Sequence, residues 1–158
     1  MDTLADLISR FPRAGRVEAI LLRPVRLSDP VRVPEVQVQE AGLEGDHARP
    51  GKRAVTLIQW EHLPVIASLA GRTEVAAEVL RRNLVVAGIN LSALRGREID
   101  VGGARLRLTV PCAPCSRMEA ELGPGGYNAM RGHGGWCAEI VAPGRVGAGD
   151  AVVVIAED

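Results

Sequence analysis

Aromatic residues are scarce in this chain, and their scarcity limits how a core can be built. Phe, Tyr and Trp make up 3% of the 158 residues, although 47% of the chain is hydrophobic. The core therefore has to consist mostly of Val, Leu, Ile and Ala. The hydrophobic fraction excludes an intrinsically disordered chain, and the length predicts one domain that buries its core without disulfides or metal.

Long apolar runs and a disulfide framework are also missing. No segment approaches the roughly 18 apolar residues that a transmembrane helix needs, and the opening segment MDTLADLISRFPRAGR contains acids and no signal-peptide core. Three cysteines are an odd number, which argues against a disulfide framework and fits a reducing compartment. We therefore expect a cytoplasmic protein with an N-terminal helical stub at residues 1–14 and one domain at residues 15–158.

An excess of either charge is absent as well. Acidic and basic residues number 19 each, so the total charge gives no support for nucleic acid or a membrane surface as a partner. Lys52 is the single lysine, and the other 18 basic residues are arginines. Because arginine suits two-pronged binding of phosphate or carboxylate, each arginine cluster has to be judged by its place in the chain.

Short apolar or alternating segments separated by turns predict a domain built mainly from strands. Strands are predicted at 15–24, 54–59, 83–88, 151–156 and both arms of a hairpin over 97–110, and an edge strand or bend at 31–39, which contains Pro34. Helices are predicted within 60–82 and at 116–122, and glycine-rich loops or turns at 41–53, 123–135 and 144–150. This pattern predicts an α+β, mainly β, barrel-like domain and disfavours a doubly wound sheet, because the strands do not alternate with long helices.

The segment TVPCAPCSRMEA, residues 109–120, holds the most informative motif. Cys112 and Cys115 lie between prolines, after a predicted strand and before a predicted helix. A thioredoxin-type site has this local order, with the helix N-terminus and Arg117 lowering the pKa of a thiol, but the βαβ setting is missing. Two inert thiols are the plain alternative, and the flanking prolines oppose it because they stiffen the backbone that presents the sulfurs.

A structural zinc site is a further interpretation of the same motif. Cys112, Cys115, His133 and Cys137 form a C-x2-C…H-x3-C pattern with ligand types that zinc accepts. Against it, Cys137 lies in the apolar segment WCAEIV, where a free cysteine often serves as a small hydrophobic residue.

Three polar segments are candidate ligand loops. Segment 41–53 combines glycines with Asp46, His47, Lys52 and Arg53, a set that suits an anion but equally a solvated loop. Arginines 81 and 82 end a predicted helix, where its dipole favours positive charge, and residue 83 is an asparagine at the junction with a strand. Arg131 and His133 lie among glycines, in a loop that either binds a ligand or is merely flexible.

Together these segments resemble the MOSC domain, which occurs at the C-terminus of molybdenum cofactor sulfurases and alone in many small bacterial proteins. The match runs over about residues 15–156 in the order GLEGDHA, RAVTLI, RRNLVVAGINLSAL, GREIDVGGARLRLTVPCAPC and RGHGGWCAEIVAPGRVGAGDAVVV. The resemblance implies a β-rich, barrel-like fold.

The resemblance also implies roles for individual residues. Cys115 is similar to the hallmark cysteine, which in relatives such as the mitochondrial amidoxime reducing component binds molybdenum held by a pterin dithiolene. A thiolate is a soft ligand that suits a thiophilic metal. Arg81 and Asn83 match an arginine-x-asparagine that helps hold the cofactor, and Cys112 is accessory. The remaining residues that the resemblance assigns to the pocket are Asp46, His47, Lys52, Arg53 and Arg131.

Two activities follow from the resemblance. The favoured one is a molybdenum-dependent reductase of N-hydroxylated small molecules, with electrons from a partner protein because no flavin, haem or iron–sulfur motif is visible. The alternative is a carrier of persulfide sulfur on Cys115, or a cofactor-delivery protein, working with a cysteine desulfurase. No pyridoxal-phosphate desulfurase domain or N-terminal β-barrel extension is visible in these residues, and a zinc-clipped structural module is a third possibility.

Overall fold

The computed structural model describes residues 1–157 and consists of short strands and shorter helices. The strands are β1 (Gly15–Leu22), β2 (Val31–Val33), β3 (Glu35–Gln39), β4 (Gly42–Leu43), β5 (Val55–Gln59), β6 (Leu84–Ala87), β7 (Glu98–Val101), β8 (Ala104–Pro111), β9 (Trp136–Ala142), β10 (Gly144–Gly147) and β11 (Ala151–Val154). The α-helices are α1 (Leu4–Ile8), α2 (Leu63–Leu69), α3 (Ala77–Leu80), α4 (Ser116–Leu122) and α5 (Gly126–Met130), with 3-10 turns at Trp60–His62 and Leu91–Leu94.

Seven strands close into a mixed barrel. Their order is β11, β7, β8, β9, β5, β6 and β1, and β11 pairs back with β1 to complete the ring. Neighbouring strands are antiparallel except β5 and β6, which run parallel. β7 and β8 form the predicted hairpin with Val101 opposite Ala104, so that Gly102 and Gly103 make the turn. The predicted mainly β, barrel-like fold is confirmed.

A second sheet of three strands lies against the barrel in the order β10, β3, β4. Pro34 separates β2 from β3, as expected for a bend, because proline cannot donate a ladder hydrogen bond. Val36, Val38 and Val146 of this sheet belong to the same hydrophobic cluster as the barrel interior. The two sheets therefore share one core.

The parallel pair β5 and β6 is buried on both faces. Leu57 and Leu84 point into the barrel cluster, whereas Ile58 and Val85 join a second cluster on the outside. Helices α2 to α5 supply the rest of that second cluster with buried residues such as Ile66 and Met118. This arrangement explains the continuously apolar sequence VTLI, and it brings the segments around α4 and α5 next to β5 and β6.

Four segments differ from the sequence prediction. The predicted loop 123–135 contains α5, whose Ala129 and Met130 are buried. The helix predicted up to residue 82 is reduced to Ala77–Leu80. The predicted loop 41–53 and turn 144–150 contain the short strands β4 and β10, which both pair with β3. In the two loops and the turn, glycine or proline masks the local signal and tertiary packing supplies the order, whereas the helix ends early because Arg81 adopts a left-handed backbone at its C-cap.

The N-terminal helix α1 contributes nothing to the core. Thr3 and Asp6 cap it reciprocally, and none of its residues is buried. Phe11, a few residues later, packs against the barrel cluster. Across residues 1–157 the helices are all too short, or too polar, to cross a membrane.

Candidate functional site

The two CxxC cysteines occupy different environments on one loop. Cys112 follows the last residue of β8, is half-buried, and donates its backbone N–H to the carbonyl of Gly135 at 2.8 Å. Cys115 is exposed and lies at the N-cap position of α4 in an extended conformation. The loop thus anchors the first thiol against β9 and presents the second to solvent.

Cys112 has a thiol partner, and it is Cys137 of β9. Hydrogen bonding from the Cys137 thiol lowers the pKa of Cys112 to about 6, against the opposing effect of burial and with help from the positive charge of Arg82. The same hydrogen bond and burial raise the pKa of Cys137. The first cysteine of the motif is therefore the more acidic thiol of a buried pair.

Arg82 is a buried cation beside this pair. Its residue is 6% exposed, and its guanidinium donates to the carbonyls of Gly134 at 2.7 Å, Leu80 at 3.0 Å and Ala113 at 3.4 Å. It forms no salt bridge with any carboxylate among residues 1–157. A buried charge without a counter-charge is costly, so this arginine favours an anion in the CxxC region.

Arg82 belongs to one of the candidate segments, but the sequence analysis did not select it as a site residue. The helix dipole accounted for both arginines of the RRN segment equally well.

Asp46 and Asn83 do meet, around an arginine that sequence reasoning missed. The buried Asp46 carboxylate accepts from the Arg23 guanidinium at 3.0 and 3.2 Å and from the Asn83 amide at 3.2 Å. The Asn83 carbonyl oxygen accepts from the backbone N–H and hydroxyl of Thr56 at 3.0 and 3.1 Å. The side-chain oxygen and nitrogen of Asn83 thus form hydrogen bonds inside the protein, where the residue orients Arg23 and Asp46.

The electrostatics of Asp46 follow from this pairing. Burial opposes ionisation, but the hydrogen bonds and charge of Arg23, together with the backbone N–H of Ala48, hold the pKa of Asp46 below its ordinary value. Asp46 is therefore a carboxylate that fixes Arg23, and the pair presents the outer edge of the guanidinium towards Arg81, whose backbone carbonyl accepts from Arg23 at 3.4 Å.

Arg81 forms a positive group with Arg23 and Arg117. Its backbone is left-handed, with φ of 58°, which is uncommon for a residue other than glycine. Burial, and then the like charges of Arg117 and Arg23, lower the pKa of Arg81. The Nε of Arg117 is buried without a hydrogen-bond partner in the part of the chain that the structure describes. Strained backbone and crowded cations of this kind are typical of ligand sites.

A cleft of about 410 Å³ adjoins the CxxC loop. Its lining includes Cys112, Pro114, Tyr127, Arg131, Gly134 and Trp136. The predicted residues His47, Lys52 and Arg53 are exposed, and His47 contacts the Arg23 carbonyl through Nδ1 at 2.6 Å.

The proposed zinc tetrad is not brought together. His133 lies edge-on against His62, with ring centroids 5.1 Å apart, whereas Cys112 contacts Cys137. Among the residues that the structure describes, no group of three or more His, Cys, Asp or Glu side chains is arranged to hold a metal ion. The zinc pattern is therefore a coincidence of spacing, and the thioredoxin setting is replaced by a barrel.

Fold and site together define a small β-barrel domain that presents a cysteine loop beside a group of arginines. The MOSC domain model matches residues 35–153, so the chain belongs to the MOSC domain family. This family is associated with the molybdenum cofactor. The family predicted from the sequence is confirmed.

Solved structures agree with this assignment at the level of the fold. The YuaD protein from Bacillus subtilis is similar with a TM-score of 0.80 and 18% identity, over 92% of this chain and 98% of that chain. YiiM from Escherichia coli is similar with a TM-score of 0.72 and 23% identity, over 90% of this chain and 71% of that chain. YiiM from Geobacillus stearothermophilus gives 0.73 and 19%, over 90% and 75%. A comparison with curated proteins gives no match.

Proposed function

We propose that this chain binds the molybdenum cofactor with Cys115 as the thiolate ligand of molybdenum, and that it reduces N-hydroxylated small molecules. The observation that carries the proposal is that Arg82, which is buried and pairs with no described carboxylate, lies next to the loop that exposes Cys115. A soft thiolate on the surface and a buried cation below it are complementary to a thiophilic metal attached to an anionic group.

The arginine group supports the same ligand. Arg23 is held in place by its ion pair with Asp46. Burial, together with the positive charges of Arg117 and Arg23, lowers the pKa of Arg81, and the nearby acids do not cancel this effect. The buried Nε of Arg117 has no hydrogen-bond partner among the described residues, and a guanidinium is a group that suits phosphate. Under the proposal Arg81, Arg82 and Arg117 hold the anionic part of the cofactor, and Asn83 acts as a positioning residue behind them.

The cofactor, when bound, supplies two-electron transfer of an oxygen atom. Reduction of an N-hydroxyl group to an amine also takes up two electrons and two protons and releases water. The chain contributes a cleft beside Cys112 in which Arg131, Tyr127 and Trp136 can bind the substrate. The electrons come from a partner protein under this proposal, and that partner stays a prediction.

The deciding experiment is the molybdenum content per chain, measured after purification from a host that makes the cofactor. We expect about one molybdenum per chain in the wild type, at least tenfold less in Cys115→Ser, and no loss in Ser116→Ala, a variant of the neighbouring exposed residue. The loaded protein should reduce an N-hydroxylated amidine with a reduced viologen as artificial donor. Zinc in place of molybdenum, or molybdenum retained in Cys115→Ser, contradicts the proposal.

The exposure of Cys115 favours one second candidate, a carrier of persulfide sulfur. An exposed thiol is accessible to a cysteine desulfurase, and it needs neither the cleft nor the buried arginine. This function predicts no molybdenum and a persulfide on Cys115 after incubation with a desulfurase and cysteine, detected by a mass increase of one sulfur atom on the peptide that contains Cys115.

A further inference from the structure

Cys112 of the CxxC motif is paired in space with Cys137 and not with Cys115. We propose that oxidation of this chain by a hydroperoxide joins Cys112 to Cys137 in a disulfide and leaves Cys115 free. The proposal concerns the protein residues alone and does not rest on the proposed cofactor function.

The strand register places the two thiols on one side of the sheet. Pro111 of β8 lies opposite Trp136 of β9, and the next residue, Cys112, bonds through its backbone N–H to Gly135. Because side chains alternate along a strand, Cys137 is on the same face as Gly135 and is a diagonal neighbour of Cys112. Cys115 is separated from this pair by Pro114 and is the N-cap residue of α4.

Access and charge give the two thiols different roles. Cys112 lines the cleft of about 410 Å³, so a small peroxide can reach it, whereas Cys137 is only 3% exposed. The charged and titratable groups that face Cys112 come from separate segments of the chain: Arg23, Arg53, Arg82 and Cys137. Three cations around one half-buried thiol favour its thiolate, which is the form that attacks a peroxide.

The chemistry balances with one equivalent of peroxide. The Cys112 thiolate attacks the peroxide oxygen, the O–O bond breaks, and the leaving hydroxide takes up a proton, so Cys112 becomes a sulfenic acid. The Cys137 thiol then forms the S–S bond as the sulfenic oxygen leaves in a second molecule of water. Two thiols are oxidised by two electrons, and the peroxide is reduced.

Forming the bond requires a local movement of the CxxC loop. Diagonal neighbours have Cα atoms about 7–8 Å apart, and a disulfide needs roughly 4.4–6.8 Å. Cys112 lies beyond the end of β8, so its Cα can move about 1 Å towards that of Cys137 by a shift of the loop, while the barrel strands stay in place. The oxidised form therefore draws the loop towards β9 and removes the Cys112 thiolate from the cleft.

The test is peptide mapping of the full chain under non-reducing conditions after treatment with hydrogen peroxide. We expect a Cys112–Cys137 linkage in the wild type and in Cys115→Ser, with loss of two hydrogens in the intact mass. In Cys137→Ser, Cys112 should stop at the sulfenic acid, which a cyclic dione reagent traps. A Cys112–Cys115 linkage, or no linkage in Cys115→Ser, overturns the proposal.

The role of Arg82 is tested by the rate of this oxidation at different pH values. In Cys115→Ser the rate should rise with pH around the pKa of Cys112, about 6. Arg82→Met should shift that profile upward by about one unit and slow the reaction about fivefold at pH 6, whereas Arg82→Lys, which keeps the charge, should largely restore it. An unchanged profile in a folded Arg82→Met protein contradicts the assignment of this arginine.

Discussion

Asp46 shows how a residue that looks like a ligand can act through another residue. Its carboxylate is fully buried and accepts three hydrogen bonds from Arg23, one from the backbone N–H and two from the guanidinium, and Arg23 itself lies beside Arg81. A direct ligand would need a free oxygen facing the cleft, and Asp46 uses both of its oxygens internally. Its contribution is to fix a cation at the edge of the arginine group.

The first prediction concerns the stability of the protein in acid. Because the folded-state pKa of Asp46 is below its ordinary value, its stabilisation is fully present above about pH 4 and is lost as the pH falls through the folded pKa. Asp46→Asn should therefore lose stability at pH 7 but show a smaller further loss between pH 4 and pH 2. Chemical denaturation at several pH values measures both effects.

Asp100 provides the matched control for Asp46. It also pairs with an arginine, Arg105, but its side chain is 40% exposed, against 0% for Asp46. Solvent screens such a pair, so Asp100→Asn should change the acid dependence much less. Equal effects of the two substitutions would show that burial of the Asp46–Arg23 pair does not matter.

At the scale of elements, two adjacent glycines allow close backbone approaches just before β9, Gly134 to the CxxC loop and Gly135 to β5. A Cβ on Gly134 would lie 2.4 Å from the carbonyl oxygen of Cys112, and one on Gly135 would lie 2.0 Å from that of Leu57. Gly135 also has φ of 89°, in the left-handed region. The backbones approach closely because neither residue has a side chain, and Arg82 then bridges Gly134 and Ala113.

The second prediction is that Gly134→Ala displaces the CxxC loop. The contact with the Cys112 backbone cannot be relieved by a side-chain rotation, so we expect a loss of about 1–3 kcal/mol in the free energy of unfolding. The peroxide-driven Cys112–Cys137 linkage should also form several times more slowly. Thermal unfolding and the same peptide mapping measure the two effects.

Gly147→Ala is the control for this prediction. A Cβ on Gly147 meets nothing nearer than 3.6 Å, at the side chain of Asp150. The substitution should leave both stability and thiol reactivity nearly unchanged. A Gly134→Ala protein that behaves like Gly147→Ala would mean that the loop and β9 separate without cost.

At the scale of the molecule, the barrel and the three-stranded sheet depend on one another. Val36 and Val38 of β3 and Val146 of β10 are buried in the same cluster as the barrel residues Leu57 and Leu106. A sheet of three short strands has little stability by itself. The shared core is therefore expected to make the domain unfold as one unit.

The third prediction is cooperative unfolding in denaturant. Far-UV circular dichroism and the fluorescence of Trp60 and Trp136 should give coincident transitions. Val38→Ala should lower the free energy of unfolding by about 1–3 kcal/mol and shift both transitions together, whereas the exposed Val141→Ala should shift neither. An early circular dichroism phase without a fluorescence change would show that the small sheet unfolds separately.

Particular segments show how far sequence reasoning reaches in this protein. The hairpin of β7 and β8 was predictable because alternating side chains flank a glycine pair, and β5 because its apolar run is short and bounded by polar residues. β4, β10 and α5 were missed, since each is too short or too rich in glycine to have a local pattern. In the site, Asp46 and Asn83 were named as separate pocket candidates and the structure places them in contact, but Arg23 and Arg82 were not selected.

The sequence by itself determined the family and the mainly β fold, because these follow from local pattern and from the order of motifs along the chain. Only the tertiary structure decided which polar groups face each other. Cys112 contacts Cys137 instead of Cys115, and His133 contacts His62 instead of a cysteine. Such pairings depend on strand register and barrel closure, which bring together residues far apart in the chain, and no short spacing encodes them.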